Sequence, residues 1–219
     1  MIPSAAKPLR VVLLGPPASG KGTQGKRLAA SLGLHYLSTG ALLREQVEKK
    51  SDLGVRAMPI LARGEYLPDD LMCPILADWL SRHPGGWVLD GFPRSLPQAT
   101  FLADWLAAHG TTLDAAVALD VPIETLLGRI RERVECPACR WTGQKPQLGP
   151  GDACPQCGAT AGPRPDDDEA NFLRRHREYE TLTLPVIRHY QDLGLLRLTD
   201  ATAPIDTVSS RILHSVIAS

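Results

Sequence analysis

The stretch Gly15-Pro16-Pro17-Ala18-Ser19-Gly20-Lys21-Gly22-Thr23 decides the fold of this chain. An apolar run, Val11-Val12-Leu13-Leu14, leads into it, and a helix-forming run from Gln24 to Ala30 leads out. Strand, glycine-bearing loop and helix, in that order, form the setting a phosphate-binding loop requires. A polyphosphate needs many donors in a small volume. Glycine lets the backbone come close, the new helix offers unpaired N–H groups at its positive dipole end, and Lys21 adds a full charge. The general pattern has Ser or Thr after the Lys; here Gly22 stands there and Thr23 follows. An ordinary glycine-rich turn is the competing reading, disfavoured because the strand, both end glycines and Lys21 all stand in register.

Working outward, 219 residues are enough for a real core. Hydrophobic residues at 43% and charged residues at 22% are ordinary for a globular chain. The formal net charge is zero, so no global attraction draws the chain to nucleic acid or an anionic membrane. No apolar run is long enough to span a membrane. Met1 to Pro8 is too short and too weakly apolar for a signal peptide, so a cytoplasmic location is expected.

Val11–Leu14, His35–Leu37, Trp87–Leu89, Ala115–Leu119 and Leu195–Leu198 are predicted buried parallel strands, separated by helical stretches. Helices are predicted from about Gly22 to Leu32, with Gly33 as the stop, and near Ala41–Lys50, Asp69–Ser81, Pro97–His109, Ile123–Arg133, Glu169–Gln191 and Ile205–Ala218. The fold class is therefore α/β, a central five-stranded parallel sheet flanked by helices.

One segment departs from this pattern. From Pro137 to Pro165 the chain is crowded with proline and glycine, and with Cys136 at its edge it holds four of the five cysteines. They are spaced Cys136-x2-Cys139-x14-Cys154-x2-Cys157, and the x14 spacer is one short of the commonest zinc-ribbon range. In a reducing compartment such pairs read as metal ligands, and four thiolates close a tetrahedron around one structural Zn²⁺. Four free or redox-active thiols are the alternative. The insert is expected to hinge near Arg133 and Arg164. Cys73 reads as a small buried hydrophobe.

Several polar residues fall at the ends of these elements. Ser38 or Thr39 can cap a helix, and Arg44 lies one turn in, in reach of an anion at that helix start or simply solvated. Asp90 ends a buried strand at the edge where open α/β sheets bind ligands, and beside a phosphate loop it is a candidate partner of Mg²⁺ through water. Gly91 and Pro93 suggest a fixed loop that holds Arg94 toward the site. Arg129 and Arg133 share a helix face, which a shared anion or a solvated surface would each explain. Asp166 to Glu169 precede a helix whose dipole favours them, with Arg164 and Arg175 on either side.

Taken together these pieces resemble the adenylate kinase family, of the long type with a zinc-bearing lid. The resemblance runs from about Arg10 to Ala218. It rests most on Gly15–Gln24 with Lys-Gly-Thr, Ser38-Thr39-Gly40 with Arg44, Gly64-Glu65-Tyr66-Leu67-Pro68-Asp69, and Asp90–Gln98. It implies a phosphate-loop nucleoside monophosphate kinase fold over 1–219, with a core of 9–38, 69–133 and 164–219. A helical AMP-binding insert at 39–68 and a zinc-ribbon-like lid at 134–163 would interrupt that core. It further implies transfer of the γ-phosphoryl group of MgATP to AMP, giving two ADP. ATP would be held by Gly15, Pro16, Ala18, Ser19, Gly20, Lys21, Gly22, Thr23, Arg129, Arg133 and Ala203. AMP would be held by Thr39, Arg44, Leu61, Gly64, Leu67, Gly91, Arg94, Gln98, Arg164 and Arg175. Lys21, Arg94, Arg129, Arg164 and Arg175 would act on the phosphoryl group in flight, and Asp90 would orient the waters of Mg²⁺. Asp166 and Asp167 would support the closed lid, and Cys136, Cys139, Cys154 and Cys157 would hold Zn²⁺. A monomer with no nucleic-acid or membrane partner is expected.

Three departures from the family stand out. Ala18 replaces a common glycine, so the turn there must take a conformation a Cβ allows. Val134 stands where many relatives have a second Arg. Arg140-Trp141-Thr142 replaces a usual Tyr-His after the second Cys, which leaves lid contacts to the ATP base unassigned. Two rival functions remain open: a kinase for UMP or CMP, and an ATPase carrying a zinc-ribbon nucleic-acid binder. Thr39 and Gln98 favour AMP within the family. The lid's basic residues are few, Arg140 and Lys145, which argues against the nucleic-acid binder.

Overall fold

β1 (Arg10–Leu14) is buried along its whole length because its two faces meet different apolar layers. Val12 and Leu14 join a layer with Leu76, Leu80, Trp87, Phe92 and Leu102, while Val11 and Leu13 join one with Leu28, Val117, Leu126 and Ile212. That is the environment of a parallel strand covered on both sides. A computed structural model describes residues 8–164 and 167–218. Its further strands are β2 (His35–Ser38), β3 (Trp87–Asp90), β4 (Ala115–Asp120), β5 (Arg133–Glu135), β6 (Thr142–Gln144) and β7 (Leu196–Asp200). Five form a parallel sheet in the order β2-β3-β1-β4-β7, and β5 and β6 form a separate antiparallel hairpin.

The helices are α1 (Lys21–Leu32), α2 (Thr39–Glu48), α3 (Asp52–Ala62), α4 (Asp69–Arg82), α5 (Leu96–Ala108), α6 (Ile123–Glu132), α7 (Glu169–Glu178), α8 (Leu184–Asp192) and α9 (Ile205–Ile217). After β1 the chain builds β2 and β3 on one side, then β4 and β7 on the other. The carboxyl ends of β1 and β3 therefore border the crevice where such sheets take ligands. Asp90 pairs in register with Leu13 at that edge.

The five predicted strands form, with their ends moved by one or two residues, and α1 stops at Gly33, whose φ is 64°. Three elements differ from expectation. α3 is new. Gly54 and Pro59 weaken its helical signal, yet Ser51 caps it, accepting from the Gly54 N–H at 3.1 Å. Gly54 is there for close approach: a Cβ would lie 2.0 Å from the Gln46 carbonyl of α2. The β5–β6 hairpin is also new. The single helix predicted over Glu169–Gln191 is interrupted by a π-helical stretch, Tyr179–Thr183, where the Leu184 N–H reaches back to the Tyr179 carbonyl. Pro185 has no N–H for the usual bond to residue 181, which favours the wider turn. Among the described residues no helix is long and apolar enough to cross a membrane.

Candidate active site

Gly15 (φ 141°) and Gly20 (φ 99°) hold backbone shapes that glycine takes freely, and a Cβ on Gly15 would come 2.9 Å from the Leu119 carbonyl. Ser19 N–H closes the loop onto the Pro16 carbonyl at 3.2 Å. The conformation that Ala18 adopts is left-handed, φ 62°, a region open to an L residue but cheaper for glycine. The Lys21 ammonium donates to the carbonyls of Gly15 and Pro16 at 2.7 and 2.8 Å. Burial pulls its pKa down to about 8, Asp90 opposes that shift, and Arg94, Arg175 and Arg133 add to it. Residues distant in sequence thus act on one ammonium group.

Asp90 is nearly buried at the end of β3. The Tyr36 hydroxyl donates to its Oδ2 at 2.9 Å. Burial, then Asp90 itself, pushes the Tyr36 pKa far above its ordinary value, so Tyr36 stays a donor. The same Oδ2 lies 3.6 Å from where a Cβ on Gly22 would sit, so the carboxylate faces the first turn of α1. A hard oxygen donor beside a phosphate loop suits Mg²⁺ held through water.

Gly91, the residue after Asp90, lines a cavity of about 430 Å³. Of the residues expected to hold AMP, Thr39, Arg44, Leu61, Gly64, Leu67, Gly91, Arg94, Gln98 and Arg175 line it. Ser38, not Thr39, caps α2, accepting from the Ala41 N–H at 3.4 Å. Thr39 is buried and its hydroxyl donates to the Gly91 carbonyl at 3.0 Å. Arg94 is held on three sides. Its Nε donates to the Gly91 carbonyl at 2.7 Å, its guanidinium lies 4.4 Å from the centre of the Tyr66 ring, and its own carbonyl accepts from Thr183 Oγ1 at 3.0 Å. The Phe92–Pro93 peptide before it is cis.

Arg129 bridges the loop and the turn after β7, donating to the carbonyls of Ser19 at 3.2 Å and Ala201 at 2.7 Å. Ala203 lies in that same turn, packed against the α1 side of the core. Arg133 grips the buried Asp167 carboxylate through both Nε and Nη2. Arg164 is not among the residues lining the cavity: its Nε lies 3.3 Å from Glu135 Oε2 and 3.9 Å from Asp167 Oδ2, at the root of the lid. Asp166 lies outside the described residues. Asp168 caps α7, accepting from the Asn171 N–H at 2.8 Å.

The four cysteines converge. Cys136 Sγ is 3.6 Å from Cys157 Sγ, Cys139 Sγ is 3.6 Å from Cys154 Sγ, and all four sulfurs lie within 4.8 Å of one another. A zinc tetrahedron with Zn–S bonds near 2.3 Å has edges of about 3.8 Å, so the set fits this ion. Backbone N–H groups, first that of Cys139 and also that of Ala138, pull the Cys136 thiol down, while at Cys139 the Trp141 N–H is outweighed by burial and the other three sulfurs, which push that thiol up. The two pairs share one backbone design. Arg140 N–H returns to the Cys136 carbonyl and Gly158 N–H to the Cys154 carbonyl, each at 2.9 Å. The equivalent positions are both left-handed, Gly158 at φ 76° and Arg140 at φ 60°.

Arg140 also leaves the lid. Its guanidinium pairs with Glu48 at the end of α2, with one contact of 2.9 Å, and Lys26 of α1 donates to its carbonyl at 3.2 Å. Tyr36, Glu48, Tyr66, Asp69 and Thr183 were not singled out as site residues by sequence reasoning. Each acts through a partner far away in the chain, so no local spacing betrays it.

A family model described as adenylate kinase matches residues 13–195. Among curated relatives, the adenylate kinase of Kosmotoga olearia is 36% identical over 212 residues, covering 95% of this chain and 99% of that protein. Those of Parvibaculum lavamentivorans and Thermotoga petrophila are 40% and 37% identical, covering 93% and 94% of this chain and 90% and 96% of their own lengths.

Proposed function

The chain belongs to the adenylate kinase family, and from that membership we propose how its residues share the work. It is a phosphotransferase that moves the γ-phosphoryl group of ATP, taken with Mg²⁺, to AMP, and it binds ATP, AMP and ADP. The observation that carries the site assignment is the cavity that gathers Thr39, Arg44, Gly91, Arg94, Gln98 and Arg175 at the carboxyl end of β3, next in the chain to Asp90.

The acceptor oxygen of AMP is already an anion, so no general base is required. The task is to bring two polyanions together. Lys21 and the amides of Gly15–Thr23 hold the ATP phosphates, with Arg129 and Arg133 beside them. Arg44 and Arg94 hold the AMP phosphate, Thr39, Leu61, Gly64, Leu67, Gly91 and Gln98 surround its nucleoside, and Ala203 borders the ATP side. Arg175, joined by Arg164 from the lid root, meets the phosphoryl group in flight. Cations fixed in advance on a dry site stabilise the spreading charge without reorganising. Mg²⁺, when bound, neutralises phosphate charge, and Asp90 orients its waters. A closed lid excludes water that would otherwise hydrolyse ATP.

We divide the chain into a core of 9–38, 69–133 and 164–219, an AMP-binding insert at 39–68 and a lid at 134–163 holding one structural Zn²⁺. We take it to act as a cytoplasmic monomer with neither nucleic acid nor membrane as partner. The commitment of Arg140 to Glu48 argues against a nucleic-acid partner, since it takes up one of the lid's few cations. A coupled phosphotransfer assay with MgATP and each of AMP, CMP, UMP and GMP tests the function. AMP should be turned over best; a preference for CMP or UMP would overturn the acceptor assignment.

A further inference from the structure

The side-chain amide of Gln98 is gripped on both of its polar atoms. Its Oε1 accepts from the backbone N–H of Arg94 at 2.8 Å, and its Nε2 donates to Asp69 Oδ1 at 2.7 Å. A backbone N–H can only donate and a carboxylate can only accept, so one orientation of the amide satisfies both and the other satisfies neither. Turned over, the amide would face N–H against N–H and oxygen against carboxylate. Gln98 is only 3% exposed, so water offers no easy substitute. An amide has two acceptor and two donor positions, and these contacts take one of each. One acceptor and one donor position remain for the cavity that Gln98 lines. Asp69, in the first turn of α4, is not among the residues lining that cavity.

We infer that Asp69 is a positioning residue that sets base specificity by locking the Gln98 amide. Fixed in this orientation, Gln98 offers an acceptor beside a donor in one sense only. Adenine answers with an amino donor beside a ring nitrogen acceptor. Hypoxanthine and guanine present a carbonyl beside a ring N–H, the reverse pattern, and could be matched only by the turned amide. The inference rests on the proposed role of Gln98 at the acceptor base.

The test compares kcat/KM for AMP and IMP at saturating MgATP. IMP has nearly the shape of AMP and inverts the two hydrogen-bonding positions. Asp69→Ala should lower the AMP-to-IMP ratio about tenfold, the scale at which a two-point base contact discriminates. KM for AMP should rise while KM for ATP stays put. Asp69→Asn can pair with either orientation of the amide and should give an intermediate ratio. Asp70→Ala removes an acid from the same helix turn without touching Gln98 and should leave the ratio unchanged. In a Gln98→Ala background, Asp69→Ala should change the ratio no further. If Gln98→Ala itself leaves the ratio unchanged, the base is read elsewhere and both readings fall. If Gln98→Ala lowers it and Asp69→Ala does not, the Asp69 inference alone fails. Should Asp69→Ala not fold, an unchanged ratio in Asp69→Asn overturns it equally.

Discussion

In the phosphate loop an irregular backbone is clamped between β1, buried from end to end, and a 12-residue helix, with apolar layers on both faces of the sheet behind it. In the lid an equally irregular backbone rests on a hairpin of three-residue strands. Its buried centre is Cys136, Cys154 and Ala161. Burial holds the first region, and the Lys21 ammonium is kept in place there by the Gly15 and Pro16 carbonyls. The second has too little to bury, so its shape must come from four sulfurs and the ion they can share. Chemistry and stability are therefore separable: a change at Lys21 should strike rate, and a change at the cysteines should strike the lid's order.

The sharpest way to break that separation is Lys21→Ala. Losing a donor to charge that grows in the transition state should cut turnover about 10²–10³-fold with the melting temperature nearly unchanged. Turnover within a few-fold of wild type would remove Lys21 from the mechanism. The complementary experiment removes metal. The purified protein should contain one zinc, and chelation or Cys154→Ser should lower the melting temperature and disorder the lid while AMP binding to the isolated enzyme persists. Zinc-free protein with four titratable thiols and unchanged melting on chelation would show that the lid is held some other way.

A smaller effect is expected at Arg140. Its φ of 60° and its exposed pair with Glu48 pull in opposite directions. Arg140→Gly and Arg140→Ala both lose the ion pair, worth up to about 1 kcal/mol at such a site. Only glycine relaxes the left-handed backbone, a difference of about 1 kcal/mol. Arg140→Gly should thus melt higher than Arg140→Ala, and equal melting would show that the first cysteine turn bears no backbone cost. The smallest effect is a proton. With Lys21 at about 8, below its ordinary 10.5, the ammonium is partly deprotonated at pH 8.5. A bound polyphosphate favours the charged form, so ATP binding there should take up a fraction of a proton, and affinity should fall as pH rises through 8. Titration calorimetry in two buffers of different ionisation heat measures the uptake. Lys21→Arg, charged throughout, should abolish it.

What could be read from the sequence follows the same division. The strands, the phosphate loop and the cysteine pairs are local patterns, a period or a spacing, and they form where the spacing places them. α3 escaped notice because Gly54 and Pro59 argue against a helix, and only packing against Gln46 explains the glycine. Arg164 shows its surroundings only once Glu135 and Asp167 are brought beside it. The part Asp69 plays becomes visible only when α4 and α5 meet at Gln98. The Arg164–Glu135 and Asp69–Gln98 contacts are settled by the fold as a whole, since their partners lie 29 residues apart in the chain in each case.

The π-helical stretch between α7 and α8 gives the chain two rotational settings on one axis. Each residue of a regular helix turns the next by about 100°, and a single wide turn shifts everything beyond it by roughly one such step. Before the stretch, Asn171 and Arg175 face the cavity; after it, Val186 and Tyr190 sit in the apolar layer of the sheet. The count of residues from Arg175 to Val186 therefore behaves as a phase rather than a length. Deleting one residue from Tyr179–Thr183 would leave the rod almost as long, yet one of its two faces would be aimed at the wrong neighbour.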